Sequence, residues 1–183
     1  FSTRIHFLYL GRIMKEKGID ELFYAVRHLK KENENFVLDL VGFFEDEYKE
    51  QVKELEKHSI AHFYGFQSDP RPFYIEADCV VLPSYHEGMS NVLLEVAATG
   101  RPVVTSNIPG CRESVENGKS GLLVEVKNKE MLYDAMKEML HCSREEREQM
   151  GQAGREKMER EFRKEVVVEK TVQSLRGDEK RDF

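Results

Sequence analysis

Nothing in this sequence is long and apolar enough to cross a bilayer. The longest apolar run, Cys79 to Pro83, falls far short of the roughly 20 residues a spanning helix needs. No signal-peptide pattern follows Phe1. Opening on Phe rather than Met, the sequence is expected to be a piece of a longer protein. Cysteine is scarce: Cys79, Cys111 and Cys142 are an odd, widely spaced set with no C-x-x-C pair. That argues against structural zinc and a disulfide framework, and for reduced thiols in a cytoplasmic setting. No N-x-[ST] glycosylation acceptor occurs, in keeping with that location. Positive charge is in deficit, with 28 Lys and Arg against 34 Asp and Glu, a net charge of −6. Broad attraction to nucleic acid is therefore not expected, although local basic sites remain open. There is no Asp-x-Asp triplet, no internal repeat and no low-complexity segment.

What is present is an ordinary globular composition, 40% hydrophobic and 34% charged. Short β-type runs at Ile5–Leu10, Phe36–Val41, Ala61–Tyr64, Cys79–Leu82, Pro102–Thr105 and Leu122–Val124 alternate with helical patterns near 18–32, 47–58, 70–77, 91–99, 110–117 and 129–141. Several strands read as continuous apolar runs, as parallel strands covered on both faces do. In the first helix Leu22, Ala25, Val26 and Leu29 share one face. The alternation predicts an α/β fold, a Rossmann-like doubly wound parallel sheet with right-handed crossovers. Ser143, followed by Glu145 and Glu146, reads as a helix N-cap with an acidic first turn. We divide the chain into a sheet-bearing domain over 1–162, a C-terminal helix over 163–176 and a polar tail over 177–183.

Ligands of such sheets bind beyond the carboxyl ends of the strands at the switch point, so the residues after each strand matter most. After the first strand come Gly11, Arg12 and, five residues on, Lys17 and Gly18. The glycine permits a close backbone turn. Arg12 offers a planar fork that fits phosphate oxygens, and Lys17 a compact charge on a mobile stem. The competing reading is two solvated cations ahead of an ordinary helix. After the fourth strand, Pro83-Ser84-Tyr85-His86-Glu87-Gly88-Met89 leads to Ser90 and Asn91, both good N-caps, and an apolar helix starts there. The free N–H groups of that helix tip suit a diphosphate. Glu87 stands before the helix and Glu95 eight residues later, reaching different parts of one elongated ligand. A carboxylate at Glu95 suits a cis-diol, since it accepts from two hydroxyls. The bland alternatives are a favourable charge near a helix N-terminus for Glu95 and a solvated loop acid for Glu87.

The segments GRIMKEKG and PSYHEGMSNVLLEVAATGRPVV resemble the donor domain of retaining GT-B-fold glycosyltransferases of family 4 (glycosyl transferases group 1). The resemblance runs from about Phe7 to Leu123, and more loosely to Leu175. It implies that Arg12 and Lys17 hold a diphosphate beside Gly11. Glu95 would hold the ribose hydroxyls, and backbone N–H groups at Ser90, Asn91 and Val92, after Gly88 and Met89, would complete the phosphate cradle. Gly65 and Phe66 would border the nucleobase, and Glu87 would contact the donor sugar near the reacting carbon, either as nucleophile or as a positioning group. Two departures from the family pattern are Val96, where Ala is usual, and Cys111, in a loop often written Gly-Gly.

The resemblance further implies transfer of a sugar from a nucleoside-diphosphate donor, UDP-sugar ahead of GDP-sugar, in polysaccharide or glycolipid biosynthesis. The glycan or lipid-linked acceptor would be bound mainly by a preceding domain, to which the helix at 163–176 would cross. Any peripheral membrane association would come through that domain, at the cytoplasmic face. Fixed cations and helix-end N–H groups would stabilise the departing diphosphate. With no Asp-x-Asp, no metal and no other cofactor is expected, and the isolated chain is expected to transfer no sugar. The rival is a non-catalytic nucleotide-binding or regulatory module on the same sheet, which would have no use for Glu87. A Rossmann dehydrogenase is excluded because no G-x-G-x-x-G follows the first strand. Gly118-Lys119-Ser120 lacks the upstream glycine of a P-loop and reads as a turn.

Overall fold

Each short apolar run becomes a strand of one parallel sheet. The computed structural model describes residues 4–161. The strands are β1 (Ile5–Leu10), β2 (Phe36–Val41), β3 (Ala61–Gly65), β4 (Cys79–Leu82), β5 (Val103–Ser106) and β6 (Gly121–Val124), in the order β3-β2-β1-β4-β5-β6. All five pairings are parallel. Every residue of β2 and β4 is buried, as a covered interior strand requires. At the edge, β3 alternates, with His62 and Tyr64 exposed and Ala61 buried.

The helices are α1 (Ile19–Lys31), α2 (Lys49–Lys57), α3 (Arg71–Glu76), α4 (Asn91–Ala98), α5 (Lys129–His141) and α6 (Arg144–Glu161). The expected stripe on α1 is buried, Leu22, Ala25, Val26 and Leu29 being fully enclosed, and α5 packs on this helix. Burying four such side chains contributes on the order of 1–3 kcal/mol each for the larger ones, which outweighs the weak intrinsic stability of a 13-residue helix. The start of α6 is a reciprocal capping box: the Ser143 hydroxyl accepts from the Glu146 N–H at 3.2 Å, and the Glu146 carboxylate accepts from the Ser143 N–H at 2.6 Å.

Three expectations need correction. No α-helix forms over 110–117; a single 3-10 turn at Arg112–Ser114 stands there. The Ser114 hydroxyl donates to the Cys111 carbonyl at 2.7 Å, a local bond that competes with helical extension, and Val115 is already extended. The fifth strand begins at Val103 rather than Pro102, whose ring nitrogen has no hydrogen to give the ladder. The helix near 47–58 is a 3-10 turn at Asp46–Tyr48 followed by α2. The expected helix at 163–176 and the tail at 177–183 lie outside the described residues. α6 is less fully solvated than its charge suggests: Arg147, Gly151 and Gly154 are buried, and the helix packs on α4.

Candidate functional site

The sheet order makes β1 and β4 neighbours although the chain winds outward from them in opposite directions, which opens a crevice at their carboxyl ends. The loops leaving these two strands meet there. Gly18 sits at φ 70°, and a Cβ on it would lie 2.1 Å from the Pro83 carbonyl oxygen, so only glycine lets the two loops touch backbone to backbone. The Tyr85 N–H donates to the Glu16 carbonyl at 2.8 Å, a second tie between them. Beneath the first loop, buried Tyr9 donates its hydroxyl to the Arg12 carbonyl at 2.6 Å and fixes the turn. Burial pushes the Tyr9 phenol far up, and the nearby Glu87 charge adds to this, so it remains a donor.

A cavity of about 310 Å³ opens between the loops, lined by Gly11, Arg12, Lys17, Glu87, Met89, Ser90, Asn91 and Val92 over a floor of Leu10 and Leu82. Eight of the sequence-derived residues thus gather in one place. Within it the Lys17 ammonium donates to Glu87 Oε1 at 2.6 Å, with side-chain exposures of only 27% and 15%. Ser84, fully buried, donates its hydroxyl to the same oxygen at 2.8 Å. Sequence reasoning did not assign Ser84 a role; its hydroxyl three residues before the acid was the available signal. The Arg12 guanidinium is exposed and makes no hydrogen bond or ion pair among the described residues. It is therefore free to meet an anion.

The tip of α4 differs in one respect from expectation. Ser90 is the N-cap and its hydroxyl accepts from the Leu93 N–H, while its own N–H donates to the Gly110 carbonyl at 3.2 Å. Of the three amides expected to cradle phosphate, Asn91 and Val92 alone have no backbone partner among the described residues. Gly88 does not line this cavity but packs on Gly110, where a Cβ would fall 1.9 Å from the Gly88 carbonyl oxygen at φ 87°. The Glu113 carboxylate accepts from the Gly110 N–H at 2.7 Å, capping the turn. Cys111, next to Gly110, is enclosed, and burial pushes its thiol up to about 11. We expect Gly110→Ala to lower Tm in a thermal melt by about 4–8 °C, from roughly 2 kcal/mol of backbone strain and clash.

Glu95 does not share the Arg12–Lys17–Glu87 cavity. It is exposed on α4, lines a neighbouring cavity of about 490 Å³ with Ser68, Asp69, Pro70, Arg71 and Tyr74, and accepts a hydrogen bond from the Tyr74 hydroxyl at 2.9 Å. The physical reason is helical geometry: Glu95 lies more than one turn from the tip, on the side of α4 that faces α3. A third cavity, about 290 Å³, shares Leu10, Gly11 and Arg12 with the first and Pro70 with the second. Phe66 lines it, exposed and stacked on Phe43 at 5.1 Å between ring centroids. Gly65 does not line it, but its carbonyl accepts from the Gly42 N–H at 2.8 Å. The three cavities border one another through these shared residues, a row we call the trough, with Glu87 lining the first and Glu95 the second. His86 is exposed beside Glu87, and Gly118 forms the expected turn into β6, donating to the Gly121 carbonyl at 2.8 Å.

Comparison with known proteins agrees with this architecture. The Glycosyl transferases group 1 family matches residues 1–157. The chain is 29% identical over 164 residues to the capsular polysaccharide biosynthesis glycosyltransferase CapM of Staphylococcus aureus, an alignment that takes in 88% of this chain and 43% of CapM. Among solved structures, sucrose-phosphate synthase of Thermosynechococcus elongatus superposes with a TM-score of 0.80 at 26% identity, covering 96% of this chain and 45% of that one. Anabaena HepE in complex with UDP superposes with a TM-score of 0.79 at 20% identity, covering 96% and 50%. The chain thus spans about half the length of these proteins, and its sheet is the Rossmann-like half of a GT-B fold. By the extent of the family match, this chain belongs to the glycosyl transferases group 1 family.

Proposed function

We propose that this chain is the donor-binding half of a retaining glycosyltransferase. It would take a nucleoside-diphosphate sugar, UDP-sugar ahead of GDP-sugar, and pass the sugar to a glycan or lipid-linked acceptor held mainly by a preceding domain, in polysaccharide or glycolipid building. The observation that carries the reading is the Lys17–Glu87 bond at 2.6 Å inside a cavity that also holds Arg12 and the free amides of Asn91 and Val92. In this reading the cations and helix-end N–H groups would meet the departing diphosphate, and the acid bonded to Lys17 would face the anomeric carbon as it gains positive charge. HepE, on the same fold, is in complex with UDP, which supports a nucleoside diphosphate as the class of ligand. Phe66 would border the base and Glu95 the ribose.

Breaking the sugar–phosphate bond places negative charge on the departing diphosphate, and each charge-assisted hydrogen bond to it contributes about 1.5–3 kcal/mol. Glu87 positions the sugar rather than attacking it in this reading. Its Oε1 already accepts from an ammonium and a hydroxyl, which drain its nucleophilicity and leave Oε2 for a sugar hydroxyl. No metal ion is called for, because protein donors meet the diphosphate charge. Calorimetric titration with UDP, GDP and ADP in the presence of EDTA tests this directly. The expected result is UDP binding that survives EDTA undiminished; loss of binding on chelation would transfer the diphosphate-holding role to a metal.

A further inference from the structure

We infer that Tyr74 is the positioning residue of the trough's far end, holding Glu95 by one carboxylate oxygen so that the other is presented to a vicinal diol of the bound nucleotide. The inference rests on the proposed nucleoside-diphosphate reading and deepens it, for nothing in the sequence motif pointed to α3. Tyr74 is 1% exposed, and its hydroxyl reaches out of the core to Glu95 Oε2 at 2.9 Å. Burial, then the Glu95 hydrogen bond and charge, push the phenol far above its ordinary range, so it stays protonated and donates at every working pH. Tyr74 and Glu95 line the same cavity, so the bond is made at its wall.

The consequence is one of order. Glu95 is the one charged residue of α4 and is exposed, and an unrestrained glutamate would sample many rotamers. A ligand hydroxyl would then bear the cost of immobilising it. The bond from Tyr74, whose ring is locked in the core, fixes the carboxylate before the ligand arrives. A carboxylate has about four acceptor positions and Tyr74 takes one, which leaves enough for two diol hydroxyls. Ser84 stands in the same relation to Glu87 at the other end of the trough, donating to a single oxygen at 2.8 Å. Glu87 and Glu95 thus each accept from one buried hydroxyl.

The test is a ligand cycle read by NMR titration on the chain, with UDP and 2′,3′-dideoxy-UDP as probes, for the wild type, Tyr74→Phe and Glu95→Gln. Tyr74→Phe keeps the core ring and removes only the hydroxyl, and an unchanged amide spectrum away from the trough reports that the fold is intact. The expected result is UDP affinity about three- to tenfold weaker in Tyr74→Phe, with dideoxy-UDP affinity unaltered. Equal weakening of both nucleotides, or of neither, would overturn the positioning role. If the wild type and Glu95→Gln each bind the two nucleotides alike, the ribose assignment of Glu95 itself fails, and the inference goes with it.

Discussion

Removing the Glu87 carboxylate in the full-length protein, as Glu87→Ala, is expected to slow sugar transfer by about a hundredfold or more while nucleoside-diphosphate affinity holds or rises. The loss comes from the sugar end. A charged acceptor that takes one or two sugar hydroxyls contributes about 1.5–3 kcal/mol per bond, and each 1.4 kcal/mol is tenfold in rate. The retained affinity follows from the ion pair. Glu87 now occupies Lys17 at 2.6 Å and places a negative charge in the same cavity as the diphosphate. Without it the ammonium is released to the phosphates and a repulsion disappears. Steady-state kinetics alongside UDP titration read the two effects separately. Unchanged turnover would instead favour the regulatory nucleotide-binding module, which has no work for Glu87 to do.

Removing the cations has the opposite signature. Arg12→Ala is expected to weaken UDP binding by about tenfold to a hundredfold, and less so at high salt, because the guanidinium is exposed and screened. Lys17→Ala is expected to cost more than Arg12→Ala. It deletes a phosphate contact and also strands the Glu87 carboxylate, only 15% exposed, with Ser84 as its remaining partner. Combining Lys17→Ala with Glu87→Ala then restores part of the lost affinity, since the stranded charge leaves with its partner. Independent, additive effects of the two substitutions would contradict a direct bond between them.

The strand runs and the α1 stripe were legible because burial on both faces demands continuous or periodic apolar residues, and these survive in a single sequence. The loops after β1 and β4 were legible for a different reason: the switch point is set by strand order, and Gly11, Arg12, Lys17 and Glu87 follow the strands that flank it. The failures are equally physical. The direct Lys17–Glu87 bond spans 70 residues and depends on how closely Gly18 lets two loops approach. The separation of Glu95 into its own cavity depends on the rotation of α4 against α3, which a motif does not encode. Ser90's amide is diverted by Gly110, a residue 20 positions away. The missing helix at 110–117 was lost to a serine side chain, Ser114, that bonds the Cys111 carbonyl three residues back, an outcome propensity leaves open. Of the hydroxyls that meet the two acids, Ser84 gave a signal only by its place three residues before Glu87, and Tyr74 was silent because a buried hydroxyl looks like any core residue until its neighbour is known.

The account depends on Arg12, Lys17 and the tip of α4 converging on a pyrophosphate. The most direct test compares UDP with uridine by NMR titration, in the wild type and in Arg12→Ala/Lys17→Ala. The wild type should favour UDP over uridine by about a hundredfold or more, the double variant should lose most of that preference, and uridine itself should bind both proteins alike. A preference for UDP that persists undiminished in the double variant would mean that the diphosphate is held somewhere else.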